Sequence, residues 1–170
     1  KAYSPKGVRD LFEQAVTSEN GDIAKVLNNK HTYKELLELC YANFLALAIN
    51  KWLNKKYIMY PADDRADPGP PDILFLNEND GEAFPVEITE LHSSAEDIWR
   101  AKGKTNFDKC HLLIISRLNK PAFNVGTFAQ VIQQHDWKFE RIWLGIYTNS
   151  PFAWTFFQMF PPAQSGGVPH

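Results

Sequence analysis

The segment 70-PPDILFLNENDGEAFPVEITELH-92 gives the clearest indication of the fold. It contains two short apolar runs, 72–76 and 84–91, separated by the turn-forming sequence NENDG. An Asp-Gly pair between two apolar runs is a strong signal for a β-hairpin. The second run carries Glu87 in the centre of PVEIT, and a carboxylate inside a buried strand is costly. The sequence therefore predicts a hairpin in which Glu87 has a role other than packing.

Helices are predicted on the N-terminal side of this hairpin. A short helix follows Ser4 and Pro5, which suit the N-cap and the first helical position. A long helix is predicted over 31–56, with Thr32 as its N-cap and Glu35 completing a capping box. The apolar residues of the long helix cover nearly all of its faces, which indicates burial on more than one side.

On the C-terminal side, helices and strands alternate. The predicted elements are a helix from Ser94, an apolar strand at 110–118, a helix at 124–136 and strands at 142–148 and 153–160. Because its apolar run does not alternate, the strand at 110–118 is of the fully buried type. The fold class predicted is α/β, with a mixed central β-sheet flanked by helices.

Length and composition favour one compact domain. The chain has 170 residues, of which 44% are hydrophobic and 22% charged, and these are ordinary globular values. We expect a single domain over 1–162 and a flexible tail over 163–170.

Charge is distributed unevenly along the chain, although the net charge is −2. Residues 61–90 hold nine carboxylates and one basic residue, whereas residues 100–120 hold six Lys or Arg and one acid. This pattern suits a metal site beside an anion-binding surface. Two oppositely charged solvated faces would give the same pattern.

Features that bear on compartment point to the cytoplasm. Cys40 and Cys110 both lie in apolar contexts without metal-ligand spacing, and buried free thiols suit a reducing compartment. The longest nearly apolar run, 39–49, is too short to span a bilayer, and no signal peptide is visible. We expect a cytoplasmic protein without membrane contact. The first residue is Lys, which leaves open that the chain is a fragment of a longer protein.

The acidic residues of the hairpin suggest a metal site. Asp72 opens the first strand and Glu87 lies inside the second, so a hairpin would bring them near each other. Converging carboxylates repel unless a cation lies between them. Mg²⁺ or Mn²⁺ is the expected cofactor, because Mg²⁺ takes oxygen ligands and needs one or two carboxylates plus water.

The sequence Pro71-Asp72, fourteen further residues and then Glu87-Ile88-Thr89 resembles the motif of the PD-(D/E)xK nuclease superfamily. The order of elements is similar to that of the restriction-endonuclease-like fold. The resemblance implies that Asp72 and Glu87 bind Mg²⁺ in a nuclease acting on DNA or RNA. It also implies a Lys two residues after the acid, where this chain has Thr89.

Other catalytic candidates come from the same resemblance. Some superfamily members carry the Lys on the following helix, where Lys102 and Lys104 lie. Many draw a carboxylate from the first helix, and Glu35 or Glu38 would supply it, with Glu38 as a third metal ligand. The viral cap-snatching endonucleases are similar to this variant and add an upstream His, for which His31 is the candidate.

Each of these residues also has a structural interpretation. Asp72 would cap a turn, Glu87 would form an ion pair and the lysines would be solvated helix charges.

Two further functions of the protein stay open. One is a catalytically degenerate module of the same fold that binds nucleic acid or a protein partner. The other is a toxin-type nuclease domain with an immunity partner.

Overall fold

The computed structural model describes residues 1–61, 71–91, 98–99, 109–116, 124–147 and 154–162. Its elements, in chain order, are α1 (Pro5–Ser18), α2 (Ile23–Asn28), α3 (Lys30–Leu53), β1 (Tyr57–Pro61), β2 (Ile73–Asn77), β3 (Ala83–Glu90), β4 (His111–Ser116), α4 (Val125–Gln133), β5 (Arg141–Tyr147) and β6 (Trp154–Phe160).

The strands form a mixed six-stranded sheet in the order β1-β2-β3-β4-β5-β6, which confirms the predicted α/β class. Contacts divide the chain into two compact units, the N-terminal unit Lys1–Ala83 and the C-terminal unit Phe84–His170. The single domain over 1–162 stays a prediction. The tail at 163–170 lies outside the described residues.

In the N-terminal unit, one predicted helix start is confirmed and another is wrong. The Ser4 hydroxyl accepts a hydrogen bond from the Gly7 amide at 3.2 Å, so Ser4 caps α1 as predicted. The cap of α3 is Asn29, whose side-chain oxygen accepts from the Thr32 amide at 3.1 Å, and not Thr32. Asn caps a helix at least as well as Thr, and using Asn29 starts α3 earlier in the chain.

Two short elements of this unit were absent from the sequence-based prediction. Helix α2 has six residues, too few for a helical period, and its start depends on the Asp22 carboxylate, which accepts from the Lys25 amide at 3.2 Å. Strand β1 has five residues and pairs antiparallel with β2. Its burial alternates weakly, since Tyr57 and Met59 are buried whereas Ile58 and Tyr60 are half-buried.

Helix α3 organises the packing of the N-terminal unit. It packs against α1, α2, β1 and β2. Asn50 of α3 joins the helix to β1, because its side chain accepts from the Tyr57 amide at 2.8 Å and donates to the Tyr57 carbonyl at 3.3 Å. The predicted burial of α3 on more than one side is confirmed by eight buried residues, among them Leu37, Leu45 and Ile49.

A turn follows β2 at the sequence NENDG, as predicted. Gly81 has φ +76°, a value that favours glycine, and its amide donates to the Asn77 carbonyl at 2.9 Å. Lys55 Nζ lies 2.6 Å from Asp80 Oδ2 and 3.3 Å from Glu82 Oε2. The hydrogen bond from Lys55 lowers the pKa of Asp80, and the hydrogen bond from the Tyr57 hydroxyl lowers the pKa of Glu82. These acids therefore stabilise the turn.

The C-terminal unit is built on parallel strands. Strand β4 pairs in parallel with both β3 and β5, and β6 pairs antiparallel with β5. All six residues of β4 are buried, as its apolar run predicts. One sheet face carries an apolar cluster that includes Leu112, Ile114, Ile142 and Leu144, and Ile132 of α4 packs into it.

Gly145 marks a close approach between β5 and its neighbours. A Cβ atom there would lie 2.9 Å from Phe156 Cε1 and 3.2 Å from Ile115 Cδ1. We expect Gly145→Ala to lower the free energy of unfolding by about 1–3 kcal/mol, because an added group overpacks the site. Urea denaturation is the measurement, with Gly7→Ala in α1 as control, where the added atom meets Ser4 Oγ at 3.5 Å. Equal stability of the two variants would contradict the prediction.

Candidate functional site

Glu87 lies in the interior of β3 with apolar neighbours along the chain. Val86 and Ile88 are buried, at 0% and 9% exposure, and Glu87 between them is half-buried. The predicted strand at 84–91 is confirmed as β3, Ala83–Glu90, and its alternating burial shows two different faces. A half-buried carboxylate at this position carries a desolvation cost, so the charge of Glu87 requires a compensating interaction in the folded chain.

The register of the sheet identifies the face on which Glu87 lies. Glu87 is paired with Leu112 of β4, and Thr89 with Ile114. Leu112 and Ile114 belong to the apolar cluster that also contains Ile98. Glu87 therefore shares a face with this cluster, to which the helical residue Ile98 contributes.

The opposite face of β3 is occupied by Phe84, Val86 and Ile88. Val86 is paired with His111, and the ring of Phe84 stacks on the His111 ring with a centroid distance of 4.0 Å. Glu87 and His111 consequently lie on opposite faces of the sheet.

Asp72 lies directly before β2, in a bend, and is half-buried. Pro71 precedes it, which restricts the approach of the chain to the strand. Asp72 belongs to the N-terminal unit and Glu87 to the C-terminal unit. Their shared role as metal ligands stays a prediction.

The candidates on α3 occupy different surroundings. Glu38 keeps 24% of its side chain exposed and lies 3.8 Å from Lys34 Nζ, as an i, i+4 pair. Glu35 and His31 are exposed in the first turns of α3. Since Asn29 caps α3, the predicted capping-box role of Glu35 is wrong.

The predicted catalytic lysines, Lys102 and Lys104, lie outside the described residues, as does Ser94. Within that helix the structure describes Ile98 and Trp99, and both are helical. The aromatic ring of Trp99 stacks on His135 with a centroid distance of 5.1 Å. A helix after β3 is thus confirmed at these two positions.

A second polar cluster, which sequence reasoning missed, lies at the start of β4 and β5. His111 is 5% exposed, and its Nδ1 accepts a hydrogen bond from Trp143 Nε1 at 3.3 Å. Burial first, and then the positive charge of Arg141, lower the pKa of His111 to about 3. Arg141 Nη1 donates to Gln158 Oε1 at 3.2 Å. The available signal was a histidine at the edge of the buried run HLLIIS.

The described residues contain no group of three or more His, Cys, Asp or Glu side chains close enough to hold a metal ion. The free thiols are Cys40, half-buried, and Cys110, buried, and burial raises the pKa of Cys40 to about 12. Among the described helices, including the 24-residue α3, none has the length and hydropathy that crossing a bilayer requires.

Comparison with known proteins gives no relative: no family model, no curated protein and no solved structure matches this chain.

Proposed function

We propose that this protein is a Mg²⁺-dependent nuclease of the PD-(D/E)xK type, with a restriction-endonuclease-like fold, in which Glu87 and Asp72 are the metal ligands. The observation that carries the proposal is the position of Glu87, half-buried in the middle of β3 between buried Val86 and Ile88. A half-buried carboxylate at such a position is retained when it has a charged partner, and a metal ligand is such a role.

The order of elements supports the same proposal. A long helix, α3, precedes three strands, and Asp72 comes directly before the second of these. Glu87 lies in the third, followed by helical residues and then by the parallel strand β4. The helical residue Ile98, which follows β3 in the chain, belongs to the apolar cluster on the same sheet face as Glu87.

The donor chemistry fits Mg²⁺ or Mn²⁺. Asp72 and Glu87 supply carboxylate oxygens, and Mg²⁺ is commonly held by one or two carboxylates together with water. When bound, the ion would lower the pKa of a coordinated water and stabilise negative charge on a phosphate. The proposed task of Lys102, with Lys104 as the alternative, is to orient the attacking water and contact the phosphate.

Isothermal titration with Mn²⁺ tests the metal site. We expect wild type to bind Mn²⁺ and Glu87→Gln to lose this binding, because the substitution removes the charge while keeping the side-chain size. Glu140→Gln is the matched control, since Glu140 is an exposed acid of the same unit. Equal Mn²⁺ binding by wild type and Glu87→Gln would remove Glu87 from the site.

A second candidate function is favoured by Thr89. Thr89 is half-buried on the same face as Glu87 and carries no charge where the superfamily motif has Lys. A catalytically degenerate module would keep the fold and bind nucleic acid or a protein partner without cleavage. Binding of an oligonucleotide without hydrolysis in the presence of Mn²⁺ would favour this second function.

A further inference from the structure

We propose that Arg141 and His111 form a phosphate-binding site at the start of β5 and β4. The two residues are direct partners in the register of the parallel pair, so their side chains lie on the same face of the sheet. This site is separate from the proposed metal site, because Glu87 lies on the other face.

Arg141 has an unusual electrostatic environment. It is half-buried, donates from Nη1 to the neutral Gln158 side chain, and lies with its guanidinium carbon 6.0 Å from the Trp143 ring centroid. Within the described ranges, its guanidinium forms no ion pair with a carboxylate. Its neighbour Glu140 is exposed. A partly desolvated guanidinium without an acidic partner is suited to bind an anion from outside the chain.

His111 adds a second donor beside the guanidinium. The Trp143 indole donates to His111 Nδ1, which leaves the ring proton of the neutral imidazole on Nε2. The Phe84 ring stacks on one side of the imidazole and holds its orientation. The hydrogen bond described for the His111 ring involves Nδ1, so Nε2 is the ring atom that can donate to a ligand.

Phosphate fits these donors better than a planar carboxylate. Arg141 and His111 belong to adjacent strands, and a tetrahedral oxyanion can accept from two donors that approach from different directions. An arginine fork matches phosphate geometry and forms charge-assisted hydrogen bonds with it. The shared chemistry is a phosphate group, whether from a phosphodiester backbone or from a monoester.

Titration of the chain with inorganic phosphate at constant ionic strength and pH 7.5 tests the site. The reporter is the NMR resonance of the Trp143 indole N–H, which is hydrogen-bonded to His111. We expect a saturable shift with phosphate and none with acetate or chloride. Dimethyl phosphate is the second arm: a shift with it assigns a phosphodiester, and a shift with inorganic phosphate alone assigns a monoester.

Two variants test whether Arg141 binds the phosphate. Arg141→Gln is expected to weaken phosphate affinity about tenfold or more, because it removes a charge-assisted hydrogen bond. Lys138→Gln makes the same charge change at an exposed position and should leave affinity unchanged. A wild-type response that is not saturable, or that acetate reproduces, overturns the proposal without recourse to any variant. An unchanged affinity in folded Arg141→Gln also overturns it.

Discussion

Asp72→Ala is expected to reduce Mg²⁺-dependent hydrolysis of nucleic acid by on the order of a hundredfold or more, as is Lys102→Ala. Asp72 is the proposed metal ligand that precedes β2, and Lys102 is the proposed replacement for the cation missing at Thr89. Rates are measured on plasmid DNA and on structured RNA, each with Mg²⁺ or Mn²⁺, so that cleavage of either substrate is detected. Asp136→Ala, at an exposed acid, is the control.

The outcomes of this assay separate the roles of the individual groups. Cleavage that is lost in Asp72→Ala but retained in Lys102→Ala would keep the nuclease and reject Lys102, leaving Lys104 to be tested. Absence of cleavage by wild type, with activity gained in Thr89→Lys, would identify a degenerate site. That result would favour the binding module, since the added lysine stands two residues after Glu87.

The sequence predicted those elements whose signals are local and strong. The Asp80-Gly81 turn, the apolar run of β4 and the Ser4-Pro5 helix start each have a physical cause within a few residues, and the structure contains all three. Strand β1 and helix α2 were missed because five or six residues are too few to show a period. Tertiary contacts stabilise such elements, for example the bonds between Asn50 and Tyr57.

The candidate sites differ in the same way. Glu87 was singled out because a charge within an apolar run is visible in the sequence. The structure places Glu87 half-buried in β3, and its role as a metal ligand stays a prediction. The cluster around His111 was missed because it depends on register. Trp143 and Arg141 lie some thirty residues from His111 along the chain, and the parallel pairing of β4 with β5 brings them together.

His111 is expected to make the stability of the protein fall steeply in acid. Its pKa of about 3 in the folded chain lies below the ordinary value of 6.5, because burial and Arg141 disfavour the charged ring. On acidification, His111 therefore binds a proton below about pH 6.5 in the unfolded chain but only below about pH 3 in the folded chain. The neutral ring's contribution to stability is fully present above pH 6.5 and is lost as pH falls through this window. The loss is on the order of 5 kcal/mol in total.

The measurement is the free energy of unfolding by urea at a series of pH values between 7 and 3.5, for wild type and His111→Gln. Gln does not titrate, and its side-chain oxygen can accept the hydrogen bond from Trp143. Asp80 and Glu82, whose pKa values are lowered, destabilise the fold in the same direction in acid, so the difference between the two curves isolates His111. We expect His111→Gln to be less stable at pH 7 and to lose less stability on acidification.

His31→Gln, at an exposed histidine of α3, controls for removal of an imidazole. Parallel curves for wild type and His111→Gln would show that His111 accepts a proton as readily in the folded chain as in the unfolded one, contrary to its burial between Phe84 and Trp143.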